Sequence, residues 1–197
     1  MPAAGRSSRM GGRDKLLLEL DGVPLLHRQA AAALSLGAPV LITLPRGRDR
    51  RRGKALGGLK GPLWTREVEG DEGMAASLRA GASWALGQGA RALMVMLPDL
   101  PGIGAPEIAT LAQAFAQEPG RCLRATSQDG EPGHPVILPA RLFTAVADLH
   151  GDQGARALLA RESVLSLPLP GRAAVMDLDT PDAWAAWQTR DNSTPTV

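Results

Sequence analysis

Short apolar runs alternate along the chain with longer Ala- and Leu-rich stretches in which apolar residues recur with a helical period. This alternation is typical of an α/β protein, in which buried strands form a sheet with helices on its faces. The pattern predicts strands at residues 39–44, 91–97, 121–125, 134–138 and 173–176. It predicts helices at residues 24–36, 74–86, 106–117, 140–149, 153–160 and 181–188.

Two segments lack this periodicity. Residues 45–63 contain many Gly and Arg residues, and residues 191–197 are polar, so both are predicted to be surface loop or disorder. Only residues 1–3 precede the first Gly-rich segment, which predicts a very short first strand. Because 197 residues with 44% hydrophobic composition suffice for one core, residues 1–190 are predicted to form a single domain.

Composition and charge exclude several classes of protein. Lys and Arg number 22 against 20 Asp and Glu, so the charge balance indicates no particular partner. The single cysteine, Cys122, cannot form an internal disulfide, and no apolar run approaches the length of a membrane span. These features predict a soluble cytoplasmic protein without a membrane partner. Aromatic residues are only 3%, and the basic run Arg46–Lys54 is expected to be solvated, so no nucleic acid partner is predicted.

The segment from Pro2 to Lys15 combines glycines, serines and basic residues with very little apolar surface. Small residues let backbone N–H groups approach a phosphate chain, while Arg6, Arg9, Arg13 and Lys15 supply charge and donors. The segment is therefore a candidate triphosphate-binding loop. It differs from the commonest phosphate loops, because Lys15 is followed by Leu and no Gly-x-Gly-x-x-Gly occurs. Composition alone also fits a basic, flexible N-terminus.

Acidic residues follow two of the predicted strands. Asp99 comes after the apolar run 92–97, so it should lie at the carboxyl edge of the sheet, where α/β proteins bind ligands. A carboxylate there suits Mg²⁺, although Asp99 alternatively forms an Asx turn. Asp177 and Asp179 follow residues 173–176, and alternation in an extended segment aims both to one side. For Asp179, capping of the next helix is the alternative.

Further candidates lie in glycine-rich turns. His134 lies in a Gly/Pro turn, where a substrate contact and a structural role are both open. Arg156 near a helix start suits an anion contact, the alternative being a simple helix start. Gly73 and the small residues after it would let a flat base or ribose lie against the backbone, or would only allow close helix packing.

Six motifs in order carry a family resemblance: Ala-Ala-Gly-Arg-Ser-Ser-Arg-Met-Gly-Gly-Arg-Asp-Lys, Gly-Met-Ala-Ala-Ser-Leu, Leu-Pro-Asp-Leu-Pro, Gly-His-Pro, Gly-Asp-Gln-Gly-Ala-Arg and Asp-Leu-Asp-Thr-Pro-Asp. Over residues 2–184, the chain resembles the MobA/MocA-like nucleotidyltransferases. It is most similar to molybdenum cofactor cytidylyltransferase, because Ala-Ala-Gly stands where guanylyltransferases tend to carry Ala-Gly-Gly. The resemblance implies a three-layer α/β/α, Rossmann-like and GT-A-like fold with a mostly parallel sheet.

The resemblance also implies an activity, which is Mg²⁺-dependent transfer of CMP from CTP to the phosphate of molybdopterin with release of pyrophosphate. The implied catalytic residues are Arg9, Lys15 and Asp99. The implied nucleotide-binding residues are Ala3, Ala4, Gly5, Arg6, Ser7, Ser8, Arg9, Lys15, Gly73 and Ser77. His134 and Arg156 are implied to face the acceptor, and the implied metal ligands are Asp99 with Asp177 or Asp179.

Three alternatives stay open at this point. The chain is alternatively a molybdopterin guanylyltransferase or another NTP transferase of the same family. It is alternatively a catalytically weak nucleotide-binding partner of a molybdoenzyme, a reading motivated by the short first strand. A sugar-phosphate or isoprenoid-precursor nucleotidyltransferase would share the loop and metal site but would not require Gly-His-Pro followed by Gly-Asp-Gln-Gly-Ala-Arg.

Overall fold

Strands and helices alternate in the computed structural model, which describes residues 1–5, 10–47, 50–150 and 156–191. This alternation confirms the predicted α/β class. In chain order the elements are β1 (Glu19–Leu20), β2 (Val23–Pro24), α1 (Leu25–Leu34), β3 (Val40–Pro45), α2 (Arg51–Ala55), β4 (Leu63–Val68), α3 (Gly73–Gly87), β5 (Ala92–Val95), α4 (Ala105–Gln117), β6 (Cys122–Thr126), β7 (Pro132–Pro139), α5 (Phe143–Val146), α6 (Arg156–Leu159), β8 (Val164–Pro168) and α7 (Pro181–Asp191). Short 3-10 turns lie at Lys15–Leu17, Gly70–Glu72 and Ala140–Leu142. Among these described helices, none has the length and apolarity that crossing a membrane requires.

Four strands pair in the order β5, β7, β6, β8. β6 and β8 are parallel, whereas β7 runs antiparallel to both β5 and β6. β3 and β4 form a separate parallel pair. The residues that precede the Gly-rich loop lie along β3, where Pro2 forms a parallel bridge with Thr43. The first strand is therefore a single bridge, as its short apolar stretch predicted.

Side chains of β7 alternate between two hydrophobic clusters, as the geometry of a strand requires. Val136 and Leu138 pack in a cluster with Leu78 of α3 and with α5. Ile137 packs on the other side in a cluster with Leu111 of α4. Helices therefore cover both faces of the sheet, and the three layers follow from the alternation of apolar residues along its strands.

Two sequence predictions were wrong. Residues 173–176 do not form a strand, because residues 171–175 are a turn in which Met176 N–H donates to the Arg172 carbonyl. The apolar side chain of Ala174 is buried there without strand pairing. Residues 45–63 are not only loop, because they include α2 and the first residue of β4. The sequence did not predict β4 and β8, because most of their side chains are exposed or only partly buried and therefore do not form an apolar run.

The C-terminal predictions differ less from the structure. The predicted helix 181–188 extends to residue 191 as α7, which shortens the predicted tail by one residue. The remaining tail, 192–197, lies outside the described residues. The predicted helix 153–160 overlaps α6, and its first residues also lie outside the described part of the chain.

An apolar cavity of about 420 Å³ lies between β3 and β5. Its lining includes Leu41 of β3, Met94 of β5 and Trp84 of α3, and the chain's first residues border it. β3 and β5 pair with β4 and β7, respectively, on their other edges. The cavity thus separates the β3–β4 pair from the four-stranded sheet.

Candidate functional site

The ammonium group of Lys15 lies between two carboxylates. Its Nζ donates to Oδ2 of Asp99 at 2.5 Å and also to Oδ1 of Asp179. All three side chains are at most 17% exposed. Lys15 and Asp179 are 164 residues apart in the chain, so this cluster depends on the tertiary fold.

Each member of the cluster has a simple local origin. Lys15 opens a 3-10 turn whose N-cap is Asp14, with the Asp14 carboxylate accepting a hydrogen bond from Leu16 N–H at 3.1 Å. Asp99 follows β5, as predicted from the apolar run before it. Asp179 comes to the same place because Leu178 N–H donates to the backbone carbonyl of Asp99 at 3.1 Å.

Helix capping does not explain Asp179. The cap of α7 is Thr180, whose hydroxyl oxygen accepts from Ala183 N–H at 3.2 Å. The Asp179 carboxylate instead contacts Lys15, while Asp177 is exposed and the intervening Leu178 is buried. Of the two candidate carboxylates in this segment, Asp179 is therefore the one that joins Asp99.

The electrostatics of the cluster keep Lys15 charged. Burial alone would lower the pKa of Lys15, but the charges and hydrogen bonds of Asp99 and Asp179 outweigh it and raise that pKa. The second oxygen of Asp99, Oδ1, is buried and has no hydrogen-bond partner among the described residues. A buried, unpaired carboxylate oxygen is costly unless a ligand uses it.

These donors fit a divalent cation. Mg²⁺ takes one or two carboxylates and completes its shell with phosphate oxygens and water. Asp99 and Asp179 already converge on one cationic atom, and Asp99 keeps a buried oxygen free of partners in the described structure. Within residues 1–5, 10–47, 50–150 and 156–191, no group of three or more His, Cys, Asp and Glu side chains forms a metal site. The pair therefore fits a metal that shares its shell with a phosphorylated ligand.

The start of the candidate phosphate loop is linked to Asp14, the residue before Lys15, because Arg52 contacts Asp14, Ala3 and Gly5. Ala3, Ala4 and Met10 are buried, whereas Gly5 is exposed. Of the loop residues predicted to contact the triphosphate, four lie outside the described residues: Arg6, Ser7, Ser8 and Arg9.

The turn before α3 borders the loop. A Cβ at Gly70 would come within 2.9 Å of the Ala4 carbonyl oxygen, so glycine is needed for this approach. Gly73 has a φ of 67° at the start of α3. The buried hydroxyl of Ser77 accepts from the Thr43 hydroxyl at 2.9 Å and thereby ties α3 to β3. Contact of Gly73 and Ser77 with a nucleoside stays a prediction.

Arg52 is a site residue that sequence reasoning missed. It belongs to a run predicted to be solvated, yet it is only 6% exposed. Its guanidinium donates to both carboxylate oxygens of Asp14 and to the carbonyls of Ala3 and Gly5. No spacing signal distinguishes Arg52 from the neighbouring arginines, because only the packing of α2 selects it.

His134 lies on β7 close to this end of the sheet. Its backbone N–H donates to the Ala174 carbonyl at 2.9 Å, and its Nδ1 lies 3.4 Å from the Val95 carbonyl oxygen. Burial lowers the pKa of His134, with the nearby positive charge of Arg124 acting in the same direction, so the imidazole is neutral at pH 7.

A second arginine that the sequence did not indicate lies beside His134. Arg124 of β6 donates from Nε to the Gly133 carbonyl at 3.2 Å. Burial lowers the pKa of Arg124, and the positive charge of Arg156 lowers it further. Arg156, predicted to face the acceptor, is the first residue of α6. Arg124 is therefore a cation close to His134, and the acceptor role of His134 and Arg156 stays a prediction.

Comparison with known proteins gives a consistent set of similarities. Residues 2–165 match the family described as MobA-like NTP transferase domain. A Synechococcus elongatus protein named probable molybdenum cofactor guanylyltransferase is 31% identical over 193 residues, covering 94% of this chain and 95% of the relative. A Serratia proteamaculans molybdenum cofactor guanylyltransferase is 28% identical, covering 94% and 91%. The crystal structure of Rv0371c from Mycobacterium tuberculosis H37Rv superposes with a TM-score of 0.75 at 29% identity, covering 95% of each chain.

Proposed function

Because the chain belongs to the MobA-like NTP transferase family, we propose that it transfers a nucleotidyl group from a nucleoside triphosphate to the phosphate of molybdopterin. The observation that supports this most is the contact of Lys15 with both Asp99 and Asp179 beside the Gly- and Arg-rich loop. A cation flanked by carboxylates at the edge of the sheet suits a metal-bound triphosphate.

GTP is the nucleotide that we propose. The relatives named above as molybdenum cofactor guanylyltransferases support it. The Ala3-Ala4-Gly5 sequence was the reason to expect CTP, and CTP remains the competing substrate.

Each charged group around the cluster would have a separate role in nucleotidyl transfer. Mg²⁺ held by Asp99 and Asp179 would neutralise charge on the phosphates when bound. Lys15 would donate to the phosphates, where negative charge increases as pyrophosphate leaves. The backbone of residues 3–5 would hold the triphosphate so that the acceptor phosphate attacks in line. His134 and Arg156 would face the acceptor, and Arg124 adds a second cation beside them.

The test is release of pyrophosphate from each of the four nucleoside triphosphates with molybdopterin and Mg²⁺. We expect turnover with GTP, and turnover at least about tenfold slower with each of the other three nucleotides. The loss of one specific hydrogen bond to the base lowers the rate by about that factor or more. Turnover with CTP in preference to GTP would reverse the nucleotide assignment. Binding of a nucleotide without pyrophosphate release would instead indicate the noncatalytic nucleotide-binding partner.

Asp99→Asn tests the site itself. We expect its turnover to fall below about a tenth of the native value while the fold is retained, because a metal ligand is lost without a change of volume. The matched control is Glu118→Gln, which makes the same chemical change in an exposed ion pair with Arg121. Arg121 comes just before β6, whereas Asp99 follows β5, so the control lies at the opposite end of the strands. Full activity in Asp99→Asn would remove Asp99 from the site.

A further inference from the structure

Arg52 occupies an unusual place for a residue from a basic surface run. It lies on α2, a five-residue helix, and its side chain is 8% exposed. Burial of a guanidinium is costly unless its donors are satisfied. The partners of Arg52 therefore indicate what the burial achieves.

Those partners lie near the two ends of the candidate phosphate loop. Nε and Nη2 of Arg52 donate to the two oxygens of Asp14, at 2.7 and 2.9 Å. Nη1 donates to the carbonyl of Ala3 at 2.5 Å and to that of Gly5 at 3.0 Å. One planar group thus joins Ala3 and Gly5, near the start of the loop, to Asp14, near its end.

The contact with Asp14 extends to Lys15. Asp14 caps the 3-10 turn through its hydrogen bond from Leu16 N–H, and Lys15 is the first residue of that turn. The direction of the Lys15 side chain therefore depends on Asp14, whose carboxylate Arg52 holds in a bidentate arrangement.

We propose that Arg52 is a positioning residue for triphosphate binding, an inference that rests on the proposed function. It holds the two ends of the loop together and orients the turn that carries Lys15, so that the loop is organised before the ligand arrives. Arg52 acts through the Asp14 carboxylate and the backbone carbonyls of Ala3 and Gly5. Lysine cannot replace it, because one ammonium cannot pair bidentately with Asp14 and also reach two carbonyls in the same plane.

The test is binding of Mg²⁺-GTP and of Mg²⁺-tripolyphosphate to Arg52→Lys, together with the kinetics of pyrophosphate release. We expect Kd for both ligands to rise at least about tenfold and KM to rise by a larger factor than kcat falls, because an unorganised loop must order on binding. The control, Lys54→Ala, removes an exposed charge from the same helix and should bind within about twofold of native. Folded Arg52→Lys that binds both ligands as tightly as the native protein would overturn the proposal.

Asp14→Asn provides a second variant if Arg52→Lys does not fold. It keeps a cap oxygen but weakens the bidentate pair, so both dissociation constants should again rise. Unchanged dissociation constants in Asp14→Asn would count against the proposal in the same way.

Amide hydrogen exchange separates this proposal from the proposed function. In Arg52→Lys, without ligand, exchange should accelerate at least about tenfold for the amides of Ala3 and Leu16, which donate to the Thr43 carbonyl and the Asp14 carboxylate, and stay unchanged in α4. If the native protein binds neither GTP nor CTP, the proposed function fails while this measurement still tests whether Arg52 orders the loop. Equal exchange rates in the native protein and the variant would overturn the positioning role.

Discussion

Replacing Lys15 with methionine removes the charge between Asp99 and Asp179 while keeping a side chain of similar length. In the native protein the Lys15 ammonium satisfies both carboxylates, which are 16% and 15% exposed. The variant removes the cation that both carboxylates contact in the native protein. We therefore expect three linked effects, on stability, on metal binding and on turnover.

The stability effect follows from burial. Exposed ion pairs contribute about 0.2–1 kcal/mol, whereas breaking a fully buried pair costs about 3–5 kcal/mol. Side chains exposed by 15–17% lie between these limits, so the free energy of unfolding should fall by roughly 2–3 kcal/mol. For a chain of 197 residues this lowers Tm by about 5–10 °C.

The affinity for a divalent metal should increase in Lys15→Met. In the native protein a divalent cation competes with Lys15 for the two carboxylates, and in Lys15→Met this competition is absent. Mn²⁺ at about 100 times its Kd stabilises a protein by roughly 2.7 kcal/mol, so saturating Mn²⁺ should restore much of the lost stability. Turnover should nevertheless fall on the order of 100-fold, because a charged donor to the phosphates is gone.

The assay is thermal unfolding of both proteins with and without Mn²⁺, alongside pyrophosphate release. The rise in Tm on adding Mn²⁺ should be larger in Lys15→Met than in the native protein. The double variant Lys15→Met with Asp99→Asn should lose that extra rise, and Lys54→Met, an exposed position, should behave as native. An equal rise in Tm for the native protein and Lys15→Met would refute competition between Lys15 and a metal.

The remaining predictions concern neighbouring parts of the fold. Arg13→Ala should change kcat and KM only a few-fold, because Arg13 is exposed; a loss as large as that of Lys15→Met would contradict this. Gly133→Ala should unfold at far lower urea than Gly120→Ala, because its Cβ would come 2.0 Å from the Ala174 carbonyl oxygen, whereas Gly120 has open space. Burial lowers the pKa of His134, so as the pH falls the unfolded chain takes up a proton near pH 6.5, before the folded chain does. The free energy of unfolding should therefore decrease as the pH falls below 6.5. In urea titrations, His134→Asn should make the free energy of unfolding less dependent on pH in this range.

Much of the fold was predictable because its signals are local. The runs that became β3, β5, β6 and β7 are apolar and short, and α1, α3 and α4 show helical periodicity. β4 and β8 were not predictable in this way, since residues of strands with largely exposed side chains need not be apolar. The strand predicted at residues 173–176 was wrong for the opposite reason, because these residues are apolar but most of them form a turn.

In the candidate site, too, some residues could be predicted from local sequence signals and others could not. Lys15 and Asp99 could be proposed from sequence, because a basic loop and a carboxylate after a buried strand each have a local signature. The choice of Asp179 over Asp177 depended on the backbone bond between Leu178 and Asp99, which joins segments far apart in the chain.

The role of Arg52 follows from the folded structure and from no local signal in the chain. The amino-acid pattern was enough to predict the alternation of strands and helices, the small and basic loop, and the carboxylates that follow the strands. It could not select Arg52 from its basic neighbours, because that role arises only when α2 places one guanidinium between Asp14 and the carbonyls of Ala3 and Gly5. Periodicity reports which face of an element is buried, whereas the partner of a buried charge is set by contacts between distant segments.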